Sequence, residues 1–376
     1  MKIIATADVH LGMKFSGYGP RQAELAGERF RALERVVEAG NGRNADLLIV
    51  AGDLFHRVGV AAKIVERAAA ILDRFTGAAI AVLPGNHDYR ASEGDRLWSG
   101  FRAAAGDRTL VLDRAGAVDL SHYDLPVTLL VAPCDAQHGA THRLAWATAL
   151  ERPDTPYVIG VAHGSIDGLT LDAEGHYFPM ERQFLASLPA DLWLIGHTHR
   201  RHDERDVRVV VPGTPEPDGF DCPAPGCAAL ITLSEPSPSG GMPAEYEVQT
   251  LPTGRYRFVD ADVALHDPEG ALSAEELHSQ VLRTVPDGEA LVRLTVTGTI
   301  TDGSFERWNA VRELLLEDSR VLRVDDDGLQ RLLGQHDVDR RYAAGSYAHR
   351  LLSRLVRTGD HDALAEALSL MDEVGT

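Results

Sequence analysis

From the N-terminus to about residue 255, short apolar runs alternate with longer amphipathic stretches, and this alternation constrains the fold more than any other feature. The runs Lys2–Ala7, Leu47–Ala51, Ile80–Leu83, Val127–Ala132, Val158–Ala162 and Leu192–Ile195 are rich in Val, Ile and Leu. Near-continuous apolar runs of this length read as strands buried on both faces. The segments at about 21–39, 60–75, 92–105, 139–150 and 179–187 read as helices between them. Strand–helix–strand order predicts an α/β core with right-handed crossovers. After His199 the pattern changes. Val207–Pro212, Ala228–Leu233 and Tyr246–Leu251 read as strands without intervening helices and predict an antiparallel finish. Residues 234–243, SEPSPSGGMP, read as an exposed loop.

A second unit is expected from near Arg255. Ser273 and Glu276 fit a capping box opening a helix over 273–284; Ala290–Ile300 alternates as a strand does; Phe305–Glu317 reads as a helix and Val321–Val324 as a short strand. This predicts a small α+β domain over 256–325. From about 329 the chain reads as helical, giving a tail over 326–376 in which Leu351, Leu352, Leu355 and Val356 form an apolar stripe beside Arg350, Arg354 and Arg357. A length of 376 residues accommodates two domains, and 44% hydrophobic with 25% charged residues is ordinary for a globular chain. No apolar run approaches the ~20 residues that span a bilayer, so no membrane association is expected. Asp8 and His10 interrupt the N-terminus before a signal-peptide core forms, and three cysteines, an odd number, exclude a disulfide scaffold. Both point to the cytoplasm. The net charge of −19 repels polyanions and, taken alone, argues against nucleic acid unless bound cations or a basic groove reverse the local field.

The polar residues at the ends of the runs carry the chemistry. The first run ends in Asp8-Val9-His10, the second in Gly52-Asp53, the third in Gly85-Asn86-His87-Asp88, and two later runs in His163-Gly164 and Gly196-His197-Thr198-His199. Ligands of open α/β sheets bind outside the carboxyl ends of the strands, so these segments deliver carboxylates, imidazoles and an amide to one rim. Carboxylate oxygen, imidazole nitrogen and amide oxygen suit borderline-hard divalent ions such as Mn²⁺, Fe²⁺ or Zn²⁺; the absence of cysteine argues against structural zinc. The donors are too many for one tetrahedral ion and about right for two ions sharing a carboxylate. A pair ~3.5–4 Å apart can clamp both oxygens of an in-line phosphoryl displacement.

The ordered set DVHLG at 8–12, GDLF at 52–55, GNHD at 85–88, the late His-Gly and GHTHR at 196–200 resembles the calcineurin-like metallophosphoesterases, and within them the SbcD-type DNA repair nucleases. VVVPGTPEPDGF at 209–220 resembles the segment that follows the last histidines there. The resemblance covers residues 1 to about 235; beyond 255 only the layout matches. It implies a two-sheet β-sandwich flanked by helices over 1–255, a DNA-orienting capping domain over 256–325, and a tail that docks on a coiled-coil ABC-type ATPase. One ion would be held by Asp8, His10, Asp53 and His199, the other by Asp53, Asn86, His163 and His197, with Asp53 bridging. The same resemblance makes His87 the general acid, oriented by Asp88, and a metal-bridging water the nucleophile. It further implies Mn²⁺-dependent cutting of DNA, as a 3′–5′ exonuclease and a single-strand or hairpin endonuclease, and a homodimer whose face uses helices 21–39 and 92–105 with Trp98, Phe101 and Ala103–Ala105.

The segment after Asp53 lacks the Asp-Arg-Gly found in the protein phosphatases of this superfamily, and His56 there is expected to face solvent, with a place in the lining of the site as the alternative. Arg200, Arg201, His202, Arg205 and Arg208 read as a mixed-charge surface hairpin, with DNA phosphate contact as the alternative. Cys222 and Cys227 have the wrong spacing for a zinc knuckle. Two competing functions stay open: a small-molecule phosphodiesterase or phosphatase on the same scaffold, which the net charge favours, and a non-catalytic scaffold subunit.

Overall fold

The computed structural model describes the chain apart from residues 91, 93, 94, 171, 173, 236–243, 268, 269, 375 and 376, so most of the expected 234–243 loop lies outside the described residues. The chain divides into two compact units, Met1–Tyr256 and Arg257–Thr376.

The first unit contains two six-stranded sheets. In one, β1 (Lys2–Thr6), β2 (Leu47–Ala51), β3 (Ala79–Leu83) and β4 (Thr109–Val111) run parallel. In the other, β6 (Val127–Ala132), β7 (Tyr157–His163), β8 (Leu192–Gly196) and β10 (Val209–Val211) run parallel between antiparallel edges β5 (Gly116–Asp119) and β9 (His202–Glu204). The chain then returns to the first sheet, where β11 (Cys227–Leu233) lies antiparallel to β1 and β12 (Tyr246–Pro252) completes the edge. The apolar runs are continuous because each strand serves two cores. Ile3, Ala5, Leu47 and Ile49 meet Leu129, Val131, Ile159 and Val161 between the sheets. The alternate residues Ile4, Leu48, Val50 and Ile80 pack under helices α1 (Gln22–Gly42), α2 (Ala62–Leu72) and α3 (Arg96–Ala104). On the outer face of the second sheet Leu130, Val158, Trp193 and Ile195 pack with Leu185 of α4 (Arg182–Ser187).

Two expectations change here. The stretch 139–150 forms only a 3₁₀ segment at Ala145–Ala149, because the backbone of Gly139 is engaged by His176 and Phe178 in a loop pairing. Trp98 and Phe101, the apolar content of the expected dimer face, are fully buried; both rings pack 5.9 Å from Phe55 in their own core. Asp95 accepts hydrogen bonds from the backbone N–H of Leu97 and Trp98, which starts α3 there and turns those rings inward.

The second unit is a parallel three-stranded sheet, β13 (Arg257–Asp267), β14 (Ala290–Thr301) and β15 (Val321–Leu332), with α5 (Ala274–Leu282) and α6 (Asp302–Glu317) in the crossovers. The Ser273–Glu276 capping box forms as the sequence predicts. The expected short strand 321–324 is longer: β15 runs through residues 325 and 326 to Leu332, so GLQRLL at 328–333, expected to be helical, is mostly strand. Gly328–Leu332 pair with Thr297–Thr301 of β14, and that ladder overrides the helical reading. Helices α7 (Gln335–Arg341), α8 (Tyr347–Thr358) and α9 (His361–Val374) follow, and Leu352 of the apolar stripe is spent on Leu333, Val338, Leu364 and Leu368 of the same unit. Among the described residues no helix is long and apolar enough to cross a membrane.

Candidate metal centre

The strand ends of the first unit converge. Asp53, in the turn after β2, is 1% exposed, and its Oδ2 stands 3.7 Å from His10 Nε2 and 3.3 Å from His163 Nε2. On the far side of His10, its Nε2 lies 3.2 Å from His199 Nε2, and Asp8 completes a group with these two rings. On the other side, Asn86 Oδ1 lies 3.0 Å from His163 Nε2 and 3.2 Å from His197 Nδ1. All seven residues named from sequence are therefore brought together: Asp8 groups with His10 and His199 and also with Asp53 and His163, and the Asp53 carboxylate stands between the His10 and His163 rings. Two nitrogens that face one ion at about 2.0–2.1 Å stand about 3 Å apart, so the His10–His199 spacing fits a shared cation. The residues fit a pair of divalent ions.

The backbone is shaped for this convergence. Asp8, His10, Asp53, His197 and His199 all have positive φ, between 48° and 106°. Non-glycine residues avoid this region at a cost of about 1–3 kcal/mol each, and such strain collects at functional sites. Gly52 makes the closest approach: a Cβ there would lie 1.9 Å from His163 Nδ1. That nitrogen hydrogen-bonds the Ala51 carbonyl at 2.9 Å, so Nδ1–H donates and Nε2 faces the cluster.

The charges fit the same purpose. Burial, with Asp53 only partly offsetting it, pushes the His10 imidazole well below its ordinary range, and burial takes His197 down to about 3; both stay neutral and offer lone pairs. His163 and His199 are buried too, but Asp53 and Asp218 respectively overcome burial and push each up to about 9. Those are positions where the field attracts positive charge. Against burial, His163 and His10 hold Asp53 well below the carboxylate range, whereas burial raises Asp8.

Three features differ from the sequence reading. Asp88 does not orient His87. Its oxygens accept the backbone N–H of Gly85 at 2.7 Å and of Phe55 at 2.9 Å, which braces the GNHD turn against the Asp53 turn, and burial pushes its carboxyl up to about 8. His87 Nδ1 pairs instead with the His56 carbonyl at 3.1 Å. His56 is not in solvent: its ring stacks on His87 at 5.4 Å and meets His10 edge-on at 5.5 Å, and His10, His56 and His87 form a further cluster of potential ligand nitrogens. Asp218 was missed. Its Oδ1 lies 3.2 Å from His199 Nδ1 and orients that ring. The signal was present: an acidic residue in the Pro/Gly-rich stretch after β10, nineteen residues past His199. The arginines past the rim are largely spent within the unit. Arg201 and Arg205 pair with Asp203, and Arg205 and Arg208 lie over the Tyr246 ring. Cys134, Cys222 and Cys227 are free and buried.

The family model for calcineurin-like phosphoesterases matches residues 1–201. The chain belongs to the calcineurin-like phosphoesterase family. Family membership and the donor set together imply a dinuclear divalent site. It is 27% identical over 256 residues to the DNA double-strand break repair protein Mre11 of Aeropyrum pernix, covering 63% of this chain and 59% of that protein. It is 23% identical over 233 residues to the uncharacterized metallophosphoesterase YhaO of Bacillus subtilis, covering 57% and 52%. The chain thus spans between half and three-fifths of the length of these curated relatives. Among solved structures, a dimetal phosphatase from Danio rerio aligns with a TM-score of 0.41 at 12% identity over 67% of this chain and 96% of that one. The calcineurin-like phosphoesterase YfkN from Bacillus subtilis aligns with a TM-score of 0.39 at 12% identity over 67% and 90%.

Proposed function

We propose that this chain is a two-metal, Mn²⁺-type phosphodiesterase that cuts DNA in repair, as a 3′–5′ exonuclease and a single-strand or hairpin endonuclease. The observation that carries the reading is the Asp53 carboxylate, placed between the His10 and His163 nitrogens so that one residue serves both clusters. When bound, the two ions supply Lewis acidity and an activated water. Asp8, His10, Asp53 and His199 would hold one ion; Asp53, Asn86, His163 and His197 would hold the other. Asp218 fixes the His199 ring, and the Ala51 carbonyl fixes His163. His87 is anchored through its backbone N–H to Asp53 Oδ1 at 2.8 Å and through Nδ1 to the His56 carbonyl, so the proton it can deliver to a leaving oxygen is the one on Nε2. The likeness to an Mre11 protein supports DNA as substrate. In this reading residues 256–325 orient DNA, and the tail over 326–376 docks on a coiled-coil ABC-type ATPase in a homodimeric assembly.

The test is Mn²⁺-dependent release of nucleotides from linear duplex and hairpin DNA. His87→Ala is expected to lower turnover by about 10²–10⁴ while both metals stay bound. No cleavage of any DNA with any divalent ion refutes the nuclease reading, and faster turnover of phosphomonoesters or cyclic nucleotides would favour the small-molecule alternative raised by the net charge of −19.

A further inference from the structure

A hollow of about 300 Å³ opens beside the metal centre. Its walls come from the two turns that carry metal residues. Residues 12–14 follow His10, Arg57 follows His56, and the two turns are tied by the Leu11–Phe55 bridge. Its apolar lining comes from Ala26, Val60 and Ile64, with Phe30 contributing only an edge at 7% exposure. Among the described residues its only charged lining groups are Lys14 and Arg57, and no carboxylate lines it. Among the described residues neither cation makes an ion pair or a hydrogen bond, although the chain carries a net charge of −19 and most of its arginines are paired. The Arg67 guanidinium lies 4.0 Å over the Phe30 ring.

A concave apolar floor takes a flat, weakly hydrated group, and two unpartnered cations at its mouth take an anion. Together they describe one nucleotide, and the volume is at the lower end of small-ligand pockets. We propose that this hollow seats the nucleotide adjoining the scissile phosphodiester, its base against Ala26, Val60 and Ile64 and its phosphate at Lys14 and Arg57. The inference rests on the nuclease reading and adds to it a place where the strand is gripped outside the metal cleft. It also answers part of the charge problem: the repulsive field of the chain is reversed locally.

The test uses the full chain in EDTA, so that phosphate capture by metal is removed, with calorimetric titration of deoxyadenosine 5′-monophosphate and, separately, inorganic phosphate. The nucleotide is expected to bind at least about tenfold more tightly than phosphate. Ala23→Phe, an exposed position on the wall of the hollow, and the K14Q/R57Q double variant are each expected to weaken nucleotide binding about tenfold. Arg354→Gln, which removes a charge from the second unit, should leave it within about twofold. Equal affinity for nucleotide and phosphate, no binding, or binding indifferent to Ala23→Phe overturns the proposal. Cleavage is read separately with Mn²⁺. A chain that binds the nucleotide in this way but cuts no DNA supports the hollow and refutes the nuclease reading. A chain that cuts DNA yet shows any overturning result refutes the hollow alone.

Discussion

Arg29 offers a direct test of how the metal turns are held. It is 1% exposed and donates to the carbonyls of Val9 at 2.6 Å, Asp8 at 2.9 Å and Glu216 at 3.0 Å, with longer contacts to Thr214 Oγ1 at 3.3 Å and the Pro217 carbonyl at 3.5 Å. One side chain on α1 therefore ties the turn bearing Asp8 and His10 to the turn bearing Asp218. Methionine keeps most of the volume and removes every donor. Hydrogen bonds from a charged group contribute about 1.5–3 kcal/mol each, so the three short ones represent about 5–9 kcal/mol. Two effects reduce that. The guanidinium carries its own burial cost, which lowers its pKa, and the Thr214 hydroxyl, 2.8 Å from both the Asp8 and Glu216 carbonyls, can still donate to one of them. A net loss of about 3–5 kcal/mol remains. At about 2–4 °C per kcal/mol for a unit of this size, Arg29→Met should lower Tm by about 6–20 °C in scanning calorimetry. Metal affinity should fall with it, since the Asp8 turn loses its tie. A Tm within about 2 °C of wild type, with metal affinity unchanged, would refute the reasoning.

Three further outcomes are expected. Gly52→Ala places a Cβ where His163 Nδ1 stands, at a residue with φ of 95°; fewer than two metals should remain bound by mass spectrometry of metal content, and two retained metals would contradict the steric account. Metal affinity should rise with pH. His163 and His199 hold protons up to about 9 in the metal-free chain and must release them to bind a cation, so each displaced proton weakens affinity up to tenfold per pH unit below that value. Titrations between about pH 7 and 8 should show up to a hundredfold gain, and a flat profile would contradict it. Burial pushes the thiols of Cys134 and Cys227 up and that of Cys222 up to about 12, so a thiol-reactive disulfide reagent should label none in the native chain and all three after denaturation.

What was legible in the sequence follows a physical division. Strand-end residues such as Asp8, Asp53 and His163 could be read because apolar runs mark buried strands, and parallel order sends all their carboxyl ends to one rim. Roles that depend on where a side chain turns after the strand could not. Asp88 follows His87 directly, yet its carboxylate is taken by two backbone N–H groups. His56 is drawn inward because the Asp53 turn coils back on the Asp8 turn, where the N–H of His10 donates to the Asp53 carbonyl and that of His56 to the Leu11 carbonyl. Trp98 and Phe101 look the same in sequence whether they face a partner or a core; Asp95, which sets the start of α3, decides it. In the second unit the Ser273 capping box was a local signal and held, whereas GLQRLL has helical composition and becomes strand because β14 offers a ladder that the local sequence does not record.

The most direct measurement is anomalous diffraction at the manganese edge from crystals grown with Mn²⁺. Two peaks per chain are expected, about 3.5–4 Å apart, with the Asp53 carboxylate between them and the rings of His10 and His163 on opposite sides. A single peak, or two peaks that do not share Asp53, would contradict the account.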